Sequence, residues 1–233
     1  MNICSMCQIK ACGENETNKF PKNCPSMFEH VNNTNELYKN EEDYKIAKTA
    51  ALVEKENYCK MTRIEEIIDF CKRMEYKKIG FAFCMGLKKE METIYKVFSH
   101  YGFEIHSVGC KCGSISKEFL GLNKEDQIHS DRFEPMCNPI GQASYLNECK
   151  TEFNILVGLC VGHDTLFIKH VEAPITILAV KDRITGHSPL APKGIITQNY
   201  LVKNNLLIKL IKQAGCKSAC FKQLFDFYLY RII

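Results

Sequence analysis

Fourteen cysteines in 233 residues are several times the content of an ordinary protein, and their positions follow a pattern. Five of them fall at or just after the ends of apolar runs, or directly before a helix start: Cys84, Cys110, Cys112, Cys137 and Cys160. Thiolates act as nucleophiles, as redox groups and as ligands of soft metals. Because open α/β sheets place their ligand sites at the carboxyl ends of strands, we expect these thiols to gather in one site that binds a cofactor.

Two of these cysteines are candidates for a reactive thiol. Cys137 directly precedes an Asn-Pro pair that begins a helix, and the positive end of the helix dipole favours a thiolate there. Cys160 is followed by His163 and Asp164, which could supply a general base or a further ligand. Taken singly, each cysteine is also typical of a small buried hydrophobic residue, so packing remains the alternative interpretation.

Basic residues follow the last predicted strand, with Lys181 and Arg183 first and His187 a few residues later. Charges in this position could stabilise thiolates or bind a small anionic ligand, and a solvated loop is the alternative. Gly158 and Gly162 flank Cys160, but the run GLCVG does not match the G-x-G-x-x-G fingerprint, so no nucleotide is predicted.

A second group of cysteines opens the chain with the spacing Cys-x2-Cys-x4-Cys. Two cysteines separated by two residues can turn their sulfurs onto one metal ion. The predicted ligands are Cys4, Cys7, Cys12 and Cys24. Cys59 or His30 could replace Cys24 as the fourth ligand. Zinc is the first choice, an iron–sulfur cluster could use the same sulfurs, and a reduced segment without a metal is the alternative.

The elements that would position these residues alternate between strands and helices. Four apolar runs predict buried strands over 78–85, 104–110, 154–161 and 175–181. Helices are predicted over 41–58, 63–75, 88–101, from Pro139 onward and over 166–170. Continuous apolar strands separated by helices indicate a three-layer α/β fold with a mostly parallel sheet of about four strands. Cys71 lies on the apolar stripe of the second helix and is predicted to be a core residue.

We divide the chain into three parts. Residues 1–35 form a cysteine-rich metal-binding module, 36–192 an α/β domain with a thiol-lined pocket, and 193–233 a basic helical extension. A long polar connection over 113–136 is of the kind that often lies over a functional site.

The net charge of +4 is unevenly distributed. From Pro189 onward the chain has seven basic residues and one acid, so this tail carries +6 and the first 188 residues carry −2. The main body therefore gives no general attraction for nucleic acid. The tail has the pattern of a basic amphipathic helix, which could bind a partner, and Cys216-x3-Cys220 within it could pair or bind metal.

The N-terminal run MNICSMCQIK lacks the apolar stretch of a signal peptide, and no apolar run reaches the roughly 18 residues of a membrane span. We therefore expect a reducing, cytoplasmic location without a transmembrane segment, where cysteines bind metals or react more often than they form disulfides.

Several motifs occur in a recognisable order: FCMG at 83–86, CKCG at 110–113, CNPIGQA at 137–143, GLCVGHD at 158–164 and AVKDRITGHSPLA at 179–191. In these motifs and in its N-terminal cysteines, the chain over about residues 1–192 resembles a small prokaryotic family numbered eighteen forty-seven in the domain-of-unknown-function series. The resemblance implies metal binding through cysteines and no established activity. The positions that match are Cys4, Cys7, Cys12, Cys84, Cys110, Cys137 and Cys160.

The leading hypothesis is a metal-binding protein, with zinc or an iron–sulfur cluster, that also has a cysteine cluster at the carboxyl edge of its sheet. A thiol-dependent enzyme or redox protein is the first alternative, with Cys137 or Cys160 as the reactive thiol and His163 as base. A partner-binding adaptor that acts through the basic tail is the second. The strand-end prediction places the sulfurs of Cys84, Cys110, Cys137 and Cys160 in one pocket, with His163 on its rim.

Overall fold

A computed structural model describes residues 4–190. The chain divides into two compact units with the boundary between Lys77 and Lys78. The sequence predicted boundaries after residues 35 and 192. Neither coincides with the boundary between these two units, and both stay predictions. The extension predicted over 193–233, with Cys216 and Cys220, lies outside the described residues. Within residues 4–190, no helix is long and apolar enough to span a membrane.

The first unit begins with short 3-10 helices and continues with three α-helices. The 3-10 helices are Cys4–Met6, Ala11–Gly13, Thr17–Lys19, Pro25–Met27 and Asn33–Lys39. The α-helices are α1 (Glu29–Asn32), α2 (Glu41–Asn57) and α3 (Arg63–Met74). Thr62 and Glu65 form the predicted capping box at the start of α3. Cys71 is completely buried on α3, as its place in the apolar stripe predicts, and burial raises the pKa of its thiol to about 12.

The second unit is a four-stranded sheet with helices between its strands. Its elements are β1 (Lys78–Phe83), α4 (Lys88–His100), β2 (Glu104–Gly109), α5 (Pro139–Glu148), β3 (Phe153–Leu159), α6 (His163–His170) and β4 (Ile175–Val180). The strands lie in the order β2-β1-β3-β4, and every neighbouring pair is parallel. The predicted α/β class and the parallel sheet are confirmed.

Helices cover both faces of this sheet. Successive side chains of a strand point to opposite faces, so neighbouring residues of one strand contact different helices. On one face, Phe81 of β1 meets Phe98 of α4 edge to face, with ring centroids 5.1 Å apart. On the other face, the next residue, Ala82, packs in a buried cluster with Leu146 of α5 and Phe167 of α6. The predicted three layers are therefore present.

The strand order gives the sheet a switch point between β1 and β3. The chain passes from β1 to β2 on one side and then returns across β1 to β3 on the other side. Ligands of open α/β sheets bind in the crevice that such a reversal leaves at the carboxyl ends of the strands. Cys84 and Cys160 follow the two strands on either side of this crevice.

A β-bulge lies at the end of β3, where the pairing with β4 shifts register between Val157 and Leu159. Gly158 has φ +66°, and a Cβ on it would lie 2.2 Å from Cδ1 of Leu87. Only glycine suits both the backbone conformation and the space. Bulges change the direction of a strand, and this one does so just before Cys160.

Candidate thiol site at the carboxyl edge of the sheet

Three cysteines from separate segments meet at the carboxyl edge of the sheet. Cys84 follows β1, Cys110 follows β2 and Cys137 precedes α5. Cys84 and Cys137 pack against the buried cluster that contains Cys110, and the Cys110 thiol changes the pKa of both. We call these three residues the thiol chain. The structure brings these members of the predicted cluster together, with Cys110 in the middle.

The pairing of β1 with β2 places the first two sulfurs side by side. Phe83 is opposite Gly109 in the register, so Cys84 and Cys110 each follow by one residue. The Cys110 N–H donates to the Phe83 carbonyl at 2.9 Å, which continues the ladder past the strand ends. The Met85 N–H donates to the Cys110 sulfur at 3.4 Å. The Cys110 residue is only 3% exposed, whereas Cys84 and Cys137 are half-buried.

Asn138 holds the third sulfur in place. Its N–H donates to the Cys110 carbonyl at 2.8 Å, and its side-chain Nδ2 donates to the Cys112 carbonyl at 3.3 Å. Its Oδ1 accepts the Gly141 N–H at 2.9 Å and so caps α5. A Cβ on Gly141 would lie 2.4 Å from Asn138 Nδ2, so this close approach needs glycine. One residue thus joins the start of α5 to the segment that carries Cys110.

Gln142 supports the site from inside the core. This residue of α5 is completely buried, and its Nε2 donates to the carbonyls of Phe83 (3.3 Å) and Val108 (2.8 Å). The amide therefore joins the carboxyl ends of β1 and β2, one residue before Cys84 and two residues before Cys110. A fixed spacing between these strand ends fixes the spacing between the two sulfurs.

The thiol chain favours thiolates at its two ends. A hydrogen bond from the Cys110 thiol lowers the pKa of Cys84 to about 5 against the opposing effect of burial, and Lys181 acts in the same direction. The same donor lowers the pKa of Cys137 to about 6, with help from Lys111 and His163. Hydrogen bonds to Cys137 and Cys84, together with burial, raise the pKa of Cys110. Because Cys110 has one proton, it donates to one end at a time and the three sulfurs titrate as a set.

Cys160 and Cys112 have partners outside the thiol chain. The Cys160 sulfur is half-buried and accepts from Arg183 Nη2 at 3.7 Å. The Cys112 thiol donates to the Asn138 carbonyl at 3.6 Å, and burial raises its pKa. The prediction that Cys160 shares one pocket with the thiol chain stays a prediction.

The predicted histidines lie on two different segments. His163 begins α6, its N–H donates to the Cys160 carbonyl at 3.0 Å, and its charge acts on Cys137. His187 instead accepts the Asp182 N–H on Nδ1 at 3.0 Å. The Asp182 carboxylate accepts from Thr185 Oγ1 at 2.6 Å and from backbone N–H groups, so it organises its own turn. Oδ1 of Asp164 accepts the N–H of the next residue, Thr165.

Sequence reasoning missed two contributors to the site, Lys111 and Gln142. Lys111 lies between two cysteines, and its Nζ donates to the Pro135 carbonyl at 2.5 Å, which brings the end of the long connection back to the site. Its position in the run CKCG was the available signal. Gln142 had a weaker signal, because a lone amide in a helix gives no indication of which carbonyls it meets.

The N-terminal cysteines lie in the first unit. Cys4 and Cys12 are exposed, and Cys7 and Cys24 are half-buried. Backbone N–H groups of Lys10 and Ile9 donate to the Cys7 sulfur and lower its pKa. Within residues 4–190, no group of three or more His, Cys, Asp or Glu side chains is arranged to hold a metal ion. The four-cysteine metal site therefore stays a prediction.

A family model described as "Protein of unknown function (DUF1847)" matches residues 24–178, which is more than half of the chain. The chain belongs to this family. The DUF1847 match contains the whole thiol chain and Cys160, whereas Cys4, Cys7 and Cys12 precede it. A relative described as "Uncharacterized protein MJ0455", from Methanocaldococcus jannaschii, is 46% identical over 200 residues, which cover 86% of this DUF1847 chain and 96% of the relative. The predicted family membership is confirmed.

Proposed function

We propose that this protein is a thiol-dependent redox protein whose thiol chain exchanges disulfide bonds with a second molecule. The proposal rests on one observation, the packing of Cys84 and Cys137 against the buried cluster that contains Cys110, whose thiol changes the pKa of both. A central thiol in this position can form a disulfide with either neighbour after a small movement. The half-buried outer thiols are the ones that a reagent reaches first, because Cys110 is buried.

The exchange has two steps that conserve atoms and electrons. A thiolate of Cys84 or Cys137 attacks one sulfur of a disulfide RSSR, the S–S bond breaks, and RS⁻ leaves as a mixed disulfide forms. Cys110 then attacks the protein sulfur of the mixed disulfide and releases the second RS⁻, which leaves with the Cys110 proton as RSH. The protein loses two electrons and RSSR gains them.

The outer cysteines have the properties that the first step needs. The thiolate is the attacking form. The hydrogen bond from Cys110 lowers the pKa of the end that accepts it, to about 5 at Cys84 or to about 6 at Cys137, so that end is mostly thiolate at neutral pH. Lys181 and Lys111 stabilise these thiolates through their charge. His163 also lowers the pKa of Cys137 through its charge, and the role of general base that the sequence predicted for it stays a prediction.

Disulfide mapping at defined potentials tests the proposal. Reduced protein is equilibrated in redox buffers, trapped with an alkylating reagent and digested for mass spectrometry. We expect a Cys84–Cys110 or a Cys110–Cys137 disulfide with a midpoint in the range of thiol redox proteins, about −270 to −120 mV. Cys149→Ser, which alters a half-buried cysteine at the end of α5, serves as the matched control. Oxidation of other cysteines while all three members stay reduced would contradict the proposal.

A metal centre in the N-terminal segment is the second candidate function, and it is supported by the surroundings of Cys7. Two backbone N–H groups point to its sulfur, and such donors stabilise a thiolate, which is the form that binds metal. The Cys7 N–H donates to the Cys4 carbonyl at 3.1 Å, so the two cysteines share a tight turn. We propose zinc as the metal, held by Cys4, Cys7, Cys12 and Cys24, with an iron–sulfur cluster as the alternative cofactor.

Metal analysis of anaerobically purified protein tests this second candidate. We expect about one zinc ion per chain, or a visible-absorbing chromophore for an iron–sulfur cluster. The metal should be lost in Cys7→Ser and retained in Cys110→Ala. The reverse result would place the metal at the thiol chain and would contradict both candidates, because a metal-bound thiol chain is not free to exchange disulfides.

A further inference from the structure

Basic side chains from two segments lie beside the sulfurs at the carboxyl edge of the sheet. Lys181, directly after β4, is within hydrogen-bonding reach of Cys84, and Lys111, after β2, is within reach of Cys137. A Cβ built on Gly86 would lie 3.7 Å from both the Cys84 sulfur and Lys181 Nζ. Arg183 Nη2 donates to the Cys160 sulfur at 3.7 Å. We call Lys111, Lys181 and Arg183 the basic rim.

Carboxylates near the basic rim are engaged elsewhere. Asp182 accepts from Thr185 and two backbone N–H groups of its own turn, and Glu134 pairs with Lys117. Among residues 4–190, no carboxylate forms an ion pair with a member of the basic rim. Within residues 4–190, the charges of Lys181 and Lys111 are therefore balanced by the thiolates of Cys84 and Cys137.

That balance is lost during disulfide exchange. When Cys84 or Cys137 enters a mixed disulfide, its negative charge disappears, while the adjacent lysine keeps its positive charge. A ligand that carries its own anionic group close to the S–S bond restores the balance at that moment. A ligand with ammonium groups would add repulsion from every member of the basic rim.

We propose that the molecule exchanging with the thiol chain is the disulfide of a small anionic thiol, with a carboxylate or phosphate that contacts the basic rim. This assignment of the substrate class rests on the proposed redox function. Lys181 and Arg183 then act as specificity residues that bind the anionic group. The two exchange steps are unchanged, and both leaving groups depart as small thiols.

Three aliphatic disulfides that differ mainly in charge test the assignment. Reduced full-length protein is mixed separately with dithiodipropionate, hydroxyethyl disulfide and cystamine, and modification of Cys84 and Cys137 is followed by peptide mass spectrometry. Each rate is divided by the rate at Cys59, an exposed cysteine in the first unit, which corrects for the reactivity of the probe. We expect dithiodipropionate to exceed cystamine by about tenfold or more at low salt, which is the lower end of electrostatic steering.

Substitutions in the basic rim show which of its residues cause the preference for the anionic probe. Lys181→Gln and Arg183→Gln should each lower the ratio of anionic to cationic probe severalfold, and the ratio cancels any change in thiolate fraction. Lys169→Gln removes an exposed lysine at the end of α6 away from Cys160 and should leave the ratio unchanged. In about 1 M salt, where the Debye length is about 3 Å, the ratio should fall toward one.

Failure of the anionic substrate class and failure of the redox function give different results in this experiment. If all three probes react at Cys84 and Cys137 at equal corrected rates, or if Lys181→Gln and Arg183→Gln leave the ratio unchanged, the anionic substrate class is wrong while the redox function stands. If no probe modifies Cys84 or Cys137 faster than Cys59, and no disulfide to Cys110 follows, the redox function itself is wrong. A faster reaction with cystamine would assign a cationic substrate and overturn the proposal.

Discussion

The Cys110 thiol is the residue on which the electrostatics of the site depend most, because it is the first cause of the lowered pKa at both neighbours. Cys110→Ala removes the donor, so the pKa values of Cys84 and Cys137 should rise toward their ordinary range. We expect alkylation of both by iodoacetamide at pH 6 to slow by about tenfold, since the loss of thiolate outweighs the gain in nucleophilicity. Peptide mass spectrometry of timed samples measures it.

Cys110→Ser is the matched control, because its hydroxyl can donate in place of the thiol and cannot form a disulfide. We expect near-normal alkylation rates in this variant and no internal disulfide. Equal slowing in the alanine and serine variants would show that packing around Cys110, rather than its donated hydrogen bond, sets the reactivity.

The lowered pKa of Cys84 also links stability to pH. In the unfolded chain this thiol titrates near its ordinary value of 9.0, and in the folded protein it titrates near 5. Between these values the unfolded state binds more protons, so the contribution of Cys84 to the free energy of unfolding rises with pH and is lost as pH falls toward 5. Urea denaturation should show the wild type gaining stability over Cys84→Ser as pH rises through this window. A constant difference would contradict the lowered pKa.

Element by element, the sequence predicts much of this fold. The four strands fall within about two residues of the predicted ranges. For β1 and β3 the reason is that a strand buried on both faces is continuously apolar, whereas the edge strands β2 and β4 are only partly buried. The start of α5 follows from Asn138 and Pro139, which are the residue types for a cap and a first turn. The strand order β2-β1-β3-β4 does not follow, since local periodicity carries no information about which strands pair. For the same reason the hydrogen bond from Asn138 to the Cys112 carbonyl could not be predicted from the sequence.

The beginning of α5 offers a test of how an element positions a thiol. Asn138→Ala loses both the cap to Gly141 and the hydrogen bond to Cys112, whereas Asn138→Asp keeps the cap acceptor and loses the Nδ2 donor. The alanine variant should lower the free energy of unfolding by about 1 kcal/mol, and the aspartate variant by less. Both should lower the share of Cys110–Cys137 disulfide relative to Cys84–Cys110. Denaturation curves and disulfide mapping measure these two effects, and unchanged disulfide shares would mean that Asn138 serves the helix alone.

At the scale of the whole molecule, the N-terminal segment and the sheet differ in how much surface they bury. Over residues 4–40, Ala11 is the one buried residue, whereas the sheet contains a continuous apolar core. A segment that buries so little surface needs another source of stability, and a bound metal supplies one. We expect a chelator to increase proteolytic cleavage within residues 1–30 and to leave the protection of the sheet unchanged. Cleavage that is the same with and without chelator would refute a structural metal in this segment.

The thiol chain is a row of three sulfurs, so one sulfur stays unpaired whenever the other two form a disulfide. Any disulfide within the row takes Cys110 and one neighbour, so the oxidised protein exists as two isomers of identical composition. In one isomer the unpaired sulfur is Cys137 beside Lys111, and in the other it is Cys84 beside Lys181. The unpaired thiolate can attack Cys110 and convert one isomer into the other without any external reagent. The site could thus accept a disulfide at one end and pass it out at the other, as a relay does.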